Sequence, residues 1–342
     1  MHSIILAGGG TAGHIMPNLA LIPELRKRFD RIYYMGGADS LEEKITSDHG
    51  IEFFTVEVVK LRRDKIFSNL DIPFKLLKGI KSAKKIMKEL SPEIVFLKGG
   101  YASLPVAYAA KLLRIPVICH ESDMTLGLAN KLISAFSEAT FISFPETKAR
   151  NAVYTGTPVR DWIKAGDKDK LMRELGLPRR PTVLVMGGSQ GSKAINQAIA
   201  AAAPELVKKF NILHLTGRNK IDFTDKYYKS VEFATNIEDY FALADIVVSR
   251  AGATSLAELN SLNKKMILIP LPKGGASRGD QELNAAYYAK SGAAYVIRQE
   301  NLSKESLISA INYLYDAPSP KRILKSASNV EIVDLISKCC KR

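Results

Sequence analysis

Apolar residues along this chain fall into short unbroken runs, separated by longer stretches in which they recur every three to four positions. Runs of four or five read as strands buried on both faces, and the spaced stretches as helices that cover them. In the first half, residues 4–7, 31–35, 93–97 and 116–119 are predicted strands, with helices over 17–29 and 104–113. In the second half, 182–186, 211–215, 246–249 and 266–269 repeat the rhythm, with helices over 192–208, 255–262 and 282–291. Strand and helix alternate throughout, which predicts an α/β fold of two doubly wound, Rossmann-like parallel sheets.

The length of 342 residues exceeds what one ordinary core organises, so two domains are expected. Thr155-Gly156-Thr157-Pro158 punctuates the chain before a polar stretch at 164–173, which sets the expected domains at 1–158 and 159–329. Each half opens alike, an apolar strand running into a glycine-rich turn and a helix. That echo suggests duplicated domains facing a shared cleft.

Composition changes the picture only in part. With 46% apolar and 25% charged residues the chain is globular, and its formal charge of +14 suits an anionic partner: nucleic acid, acidic lipid or a polyphosphate-bearing substrate. Cys119, Cys339 and Cys340 form neither a disulfide framework nor zinc spacing. No apolar run approaches the roughly 20 residues of a membrane span, and no basic leader precedes the first strand. A reducing cytoplasmic setting is expected, with any membrane contact peripheral.

The first glycine turn, Gly8-Gly9-Gly10-Thr11-Ala12-Gly13-His14, satisfies G-x-G-x-x-G. A dinucleotide site needs an acid closing the second strand. None occurs there before Asp39, which leaves a different ligand or a bare structural turn. The second turn, Gly187-Gly188-Ser189-Gln190-Gly191-Ser192, leads into a helix whose N-terminus suits a diphosphate. A third stretch, Ser249 to Leu259, places small residues at a helix start and Glu258 within its first turns. That carboxylate can accept bonds from two vicinal ribose hydroxyls, or merely offset the helix dipole. Asp280, entering a further helix, is accounted for by capping alone.

Residues 60–88 carry ten Lys/Arg against Asp64 and Asp71, interleaved with Ile66, Phe67, Leu70, Phe74, Leu77 and other apolar residues. This suits an element resting on an anionic membrane surface, and also an amphipathic helix with solvated lysines. Nucleic-acid binding is not expected, because no recognisable module is present.

Taken in order over nearly the whole chain, these motifs resemble the MurG family of bacterial UDP-N-acetylglucosamine (UDP-GlcNAc) transferases. The residues that carry the resemblance are Gly9–His14, Gly99-Gly100-Tyr101, His120-Glu121, Gly127–Lys131, Gly156–Arg160, Gly187–Gly191, Arg250–Glu258 and Asp280–Ala285. The resemblance implies a GT-B fold and inverting transfer of GlcNAc to the C4 hydroxyl of the muramyl sugar of lipid I, giving lipid II and UDP. It implies donor contacts at Thr11, Ala12, Gly13, Asp123, Arg160, Ser189, Gln190, Gly191, Ala253, Thr254, Ser255, Leu256, Ala257, Glu258 and Gln281. Tyr101, His120 and Asn130 would lie on the acceptor side. No cofactor is implied, and the enzyme would sit peripherally on the cytoplasmic side of the cell membrane. A final helix at about 330–342 would cross back to the first domain. Departures are Ala12 for a usual glycine, Ser122-Asp123 for a frequent Gln-Asn, and Asp280 for a common glutamine. A UDP-GlcNAc 2-epimerase of similar fold, or a sister transferase with another lipid acceptor, is the alternative.

An inverting transfer needs a positioned hydroxyl, a proton acceptor and stabilisation of the leaving diphosphate. Of five histidines, only His14 and His120 lie in motif loops. His14 is the expected general base, with Glu121 next in line, while His120 is open between packing and chemistry. The amides of 187–191 and Arg160 would stabilise the leaving group without a metal. The sole Asp-x-Asp, at 167–169, reads as solvated surface.

Overall fold

The computed structural model describes residues 2–58, 71–188, 191–219, 221–274, 277–318 and 328–340. The chain divides into two compact units, one of residues 1–160 with 325–342, the other of 161–324.

The first unit is a seven-stranded parallel sheet in the order β3-β2-β1-β4-β5-β6-β7. Its strands are β1 (Ser3–Ala7), β2 (Arg31–Gly36), β3 (Glu52–Thr55), β4 (Ile94–Leu97), β5 (Val117–Glu121), β6 (Ala139–Ile142) and β7 (Ala152–Tyr154). Helices α1 (Ala12–Leu25), α2 (Leu41–Asp48), α3 (Ile72–Leu90), α4 (Ser103–Leu112) and α5 (Leu128–Ile133) connect them. β1 shows why its run is apolar throughout. Ile4 and Leu6 pack with α1 residues Ile15, Leu19 and Ile22, while Ile5 and Ala7 pack with Ala83 and Met87 of α3 and Val106 of α4. Side chains alternate between the two faces of a strand, and here both faces are covered. Gly79 lets α3 come down on the Glu57 carbonyl and Pro105, where a Cβ would collide.

The last described helix, α12 (Asn329–Lys338), belongs to this first unit. Its Ile332, Val333 and Ile336 join the cluster under α1, and Asn329 Nδ2 donates to the Val159 carbonyl at 2.8 Å.

The second unit is a six-stranded parallel sheet in the order β10-β9-β8-β11-β12-β13. Its strands are β8 (Thr182–Met186), β9 (Asn211–Leu215), β10 (Tyr228–Val231), β11 (Ile246–Ser249), β12 (Lys265–Leu268) and β13 (Ala294–Val296). Its helices are α6 (Lys168–Glu174), α7 (Lys193–Leu206), α8 (Ile237–Leu243), α9 (Ala253–Ser261), α10 (Asp280–Lys290) and α11 (Lys304–Asp316).

Both halves thus form the parallel sheets that the alternation predicts, with two kinds of difference. Helix α1 starts at Ala12, five residues ahead of the predicted 17–29, and holds Pro17 and Pro23 inside. Proline discourages a helix interior, but burial of Ile15, Leu19 and Ile22 outweighs it. Strands β3, β7 and β10 carry part-exposed residues and no apolar run of four, so periodicity passes over them, whereas β13 lies within the unassigned apolar run 293–297. β6 is fully buried, but Thr140 interrupts its apolar run.

Candidate functional site

In the first unit the sheet order reverses between β1 and β4, the topological switch point where open α/β sheets bind ligands beyond the strand ends. Two glycine turns meet there. Gly10 takes a φ of +98°, and Gly99 and Gly100 take +77° and +78°, a region that glycine enters without strain. A Cβ on Gly100 would strike the Gly9 carbonyl, and one on Gly10 would come within 2.7 Å of the Tyr101 ring. Behind them lies Glu42 of α2, fully buried, accepting from Gly10 N and Tyr101 Oη at 3.4 Å each. Burial and the nearby Glu42 raise the Tyr101 pKa.

Thr11 precedes α1 without a side-chain cap bond, and its Oγ1 lies 3.2 Å from His14 Nδ1. Which of the two atoms donates depends on the ring tautomer, since a hydroxyl can both donate and accept. His14 is half-buried, as is Gly13, and the α1 backbone begins at Ala12.

The end of β5 departs from the expected chemistry. Glu121 was expected as an alternative proton acceptor, yet it is buried and anchors the following loop. Its Oε1 accepts from Asp123 N at 3.1 Å, and its Oε2 from Gly127 N at 2.8 Å and Asn130 Nδ2 at 2.9 Å. Asn130, expected on the acceptor side, lies buried beneath that loop and also donates to the His120 carbonyl at 3.1 Å. His120 is buried as well. Its Nε2 is 2.8 Å from the Gly156 carbonyl and its Nδ1 2.5 Å from Lys98 Nζ, an arrangement that requires a neutral ring protonated on Nε2. Burial, and then the charge of Lys98, hold its pKa well below the usual value against the pull of the Gly156 carbonyl. The packing alternative for His120 is the one the structure adopts. Asp123 and Arg160 are half-buried.

In the second unit the order reverses between β8 and β11, and a cavity of 470 Å³ opens there. Gly187, Gly191, Ser192, Arg250, Gln281 and Gln299 line it. A Cβ on Gly187 would strike the Ser192 amide, and one on Gly191, at φ +77°, the Thr216 carbonyl. Ser192 caps α7 by accepting from Ile195 N, so the free amides and positive end of a 14-residue helix face the cavity. Arg250, one residue past β11, ties the rim together. It donates to the Ile269 and Pro270 carbonyls at 3.0 and 3.3 Å, and to Ser192 Oγ and Gln299 Oε1 at 2.7 Å each. Gln281 enters from α10, its Oε1 accepting from Leu271 N at 3.0 Å.

This cavity brings together Gly191 and Gln281 of the expected donor contacts. Ser189 and Gln190 lie outside the described residues. Ala253, Thr254, Ser255 and Ala257 are half-buried at the start of α9. Leu256 turns into the core, which leaves only its backbone for a ligand, and Glu258 is buried without lining the cavity. Asp280 does not cap α10: Gly279 does, and Asp280 pairs with Arg278 at 2.8 Å. Asp167 caps α6. Among the described residues no group of three or more His, Cys, Asp or Glu could hold a metal ion. The sequence reading overlooked Lys98, Glu42 and Gln299 as parts of these sites. Only Lys98 left a signal, as a cation between an apolar strand and a glycine pair.

Two doubly wound units of this kind, each with a glycine turn at its switch point, are the architecture of the GT-B glycosyltransferases. Residues 4–142 match the glycosyltransferase family 28 N-terminal domain, and residues 182–338 match the glycosyltransferase family 28 C-terminal domain. The chain belongs to glycosyltransferase family 28 and is a glycosyltransferase. Clostridium botulinum (strain Hall) has a relative named UDP-N-acetylglucosamine--N-acetylmuramyl-(pentapeptide) pyrophosphoryl-undecaprenol N-acetylglucosamine transferase. It is 44% identical over 325 residues, 92% of this chain and 92% of that protein. A Clostridium tetani protein of the same name is 42% identical over 351 residues, covering 98% and 97%. The crystal structure of Acinetobacter baumannii MurG superposes with a TM-score of 0.79 at 25% identity, covering 99% of this chain and 100% of that one.

Proposed function

We propose that this chain transfers GlcNAc from UDP-GlcNAc to the C4 hydroxyl of the muramyl sugar of lipid I, giving lipid II and UDP for peptidoglycan synthesis. The C4 oxygen attacks the anomeric carbon with inversion. The bond from that carbon to the UDP diphosphate breaks, and the hydroxyl proton passes to a base. The observation that carries the reading is the cavity at the α7 N-terminus. Its helix amides, lined by Gly187 and Gly191 and braced by Arg250, suit the diphosphate of a nucleotide sugar. The names and extent of the clostridial relatives support the same substrates.

His14 is the base in this reading, its ring oriented by the contact of Nδ1 with Thr11 Oγ1. Tyr101 and the glycine turns beside it would border the acceptor. Within the second unit, the start of α9 with Glu258 would contribute to holding the donor, while Thr11 to Gly13, Asp123 and Arg160 are the first unit's own candidates for substrate contacts.

The lipid-borne acceptor suggests a peripheral position on the cytoplasmic side of the cell membrane. No helix among the described residues is long and apolar enough to cross one. Of the basic stretch at 60–88, residues 60–70 lie outside the described residues, Ile66, Phe67 and Leu70 among them. The rest is α3, whose outward face carries Phe74 at 70% exposure and Leu77 at 64% among Lys75, Lys78, Lys81 and Lys85. Apolar residues ringed by lysines suit an anionic bilayer.

Incubation of the purified chain with UDP-GlcNAc and lipid I should yield lipid II and one UDP per transfer, detected by thin-layer chromatography. Release of N-acetylmannosamine without lipid II would instead establish a 2-epimerase.

A further inference from the structure

Lys98 stands one residue past β4, at the switch point of the first unit, and its side chain is almost wholly enclosed. Its backbone N–H donates to the Ala7 carbonyl at 2.8 Å, and a Cβ on Gly8 would come within 2.9 Å of its own Cβ. It is therefore wedged between the ends of β1, β4 and β5. The Nζ donates to His120 Nδ1 at 2.5 Å and to Ser122 Oγ at 2.6 Å. A buried ammonium is tolerated only where hydrogen bonds and opposite charge compensate its lost hydration. Here the compensation comes from the loop after β5.

We propose that Lys98 is a positioning residue for the transfer reaction: its buried ammonium is the clamp and counter-ion of residues 121–127, the loop that Glu121 anchors and that carries Asp123. The inference rests on the transferase reading above. It adds a residue which neither the motifs nor that reading assign.

The geometry separates two functions within one loop. Glu121 folds the loop upon itself through Asp123 N, Gly127 N and Asn130 Nδ2. Lys98 holds the folded loop to the sheet, through His120 on β5 and through Ser122 at the loop's start. His120 is held in turn by the Gly156 carbonyl, so the clamp reaches from β4 to the segment after β7. The charged or titratable groups facing Lys98 are Glu121, Asp123, Cys119 and His120, all from β5 and its loop. Burial lowers the Lys98 pKa to about 7, while Glu121, Asp123 and Cys119 oppose the fall. Loss of its proton would leave the carboxylates of Glu121 and Asp123 without their enclosed cation. Direct proton exchange with substrate is not its role, because the Nζ is enclosed and both acceptors are internal.

A double-mutant cycle between Lys98→Met and Asp123→Asn tests the proposal. Lys98→Met should lower kcat roughly 10- to 100-fold, the scale of small displacements of substrate-positioning groups. UDP affinity, measured by calorimetry, should stay within about twofold, because the cavity assigned to the diphosphate is lined by residues of the second unit alone. Asp123→Asn in the Lys98→Met background should recover several-fold of the lost turnover, since one of the two carboxylates whose charge Lys98 balanced is then neutral. The kcat of the native chain should also fall as pH rises through about 7, and Lys98→Met should lack that limb. Additive effects in the cycle, or full turnover with an unchanged pH profile in Lys98→Met, overturn the proposal. Ser122→Ala covers the case in which Lys98→Met does not fold: a loss of about three- to tenfold in kcat is expected, the scale of one hydrogen bond, and unchanged turnover overturns the role. If the native chain makes no lipid II, the transferase reading fails by itself. The same cycle read in thermal stability then decides the counter-ion: coupling sustains it and additivity removes it.

Discussion

His14 lies in the first turn of α1, and its meaning depends on one hydrogen bond. With Thr11 Oγ1 at 3.2 Å from Nδ1, the imidazole is oriented as a positioned base requires. His14→Ala should lower kcat by roughly 10²–10⁴, the usual contribution of general-base catalysis. Calorimetric UDP affinity should change little, and turnover preserved within a few-fold would reduce His14 to a structural part of the turn. Thr11→Val should lose less, since it removes the orienting partner and leaves the base. His214 is a different case. It is buried between Tyr228 Oη at 2.6 Å and Asn196 Oδ1 at 3.0 Å, and burial lowers its pKa to about 4. The unfolded chain protonates near 6.5 and the folded one only near 4, so stability is lost as pH falls between those values. The loss is on the order of 3 kcal/mol at most, at about 1.4 kcal/mol per pKa unit. Thermal melts from pH 7 to 4 should therefore be steeper for the native chain than for His214→Gln.

Among the elements, α3 presents one face to the molecule and another to its surroundings. Gly79, Ala83 and Met87 are buried, while Phe74 and Leu77 stand out among lysines. Substituting serine for both exposed residues should leave stability within about 0.5 kcal/mol, as surface changes ordinarily do. Cosedimentation with anionic vesicles should fall several-fold, and more salt should weaken the native binding. Unchanged cosedimentation would move the membrane contact elsewhere. The element also shows where periodicity stops being informative. Its spacing marks an amphipathic helix, but whether the lysine face meets water or lipid is not a property of the helix alone.

For the molecule as a whole, the nucleotide reading assigns binding to the second unit. Trp162 is the sole tryptophan, it belongs to that unit, and it is 45% exposed. Unfolding followed by its fluorescence should shift on adding UDP, by about 2.7 kcal/mol at one hundred times the dissociation constant. A transition that UDP does not move would place the nucleotide away from the α7 cavity.

The order of apolar runs and glycine turns by itself determined the class of fold, two parallel sheets with helices on both faces. A strand buried on both sides must be apolar throughout, and a chain entering a helix beside another backbone needs glycine, so both leave marks in local sequence. The edge strands β3, β7 and β10 left no such mark, because half-exposed residues relax the requirement. Tertiary structure alone decided which polar residues serve the site. Glu121 and Asn130 sit in a motif suggesting chemistry, yet the Glu121 carboxylate and the Asn130 amide N–H groups hold the end of β5 and its loop together. Lys98 and Ser122, 24 positions apart, meet because β4 and β5 are neighbours, and Arg250 after β11 reaches Gln299 after β13 across 49 positions, past the intervening β12. The physical reason is that burial and hydrogen bonding depend on which strand ends adjoin, and strand order is a long-range property that local spacing does not encode.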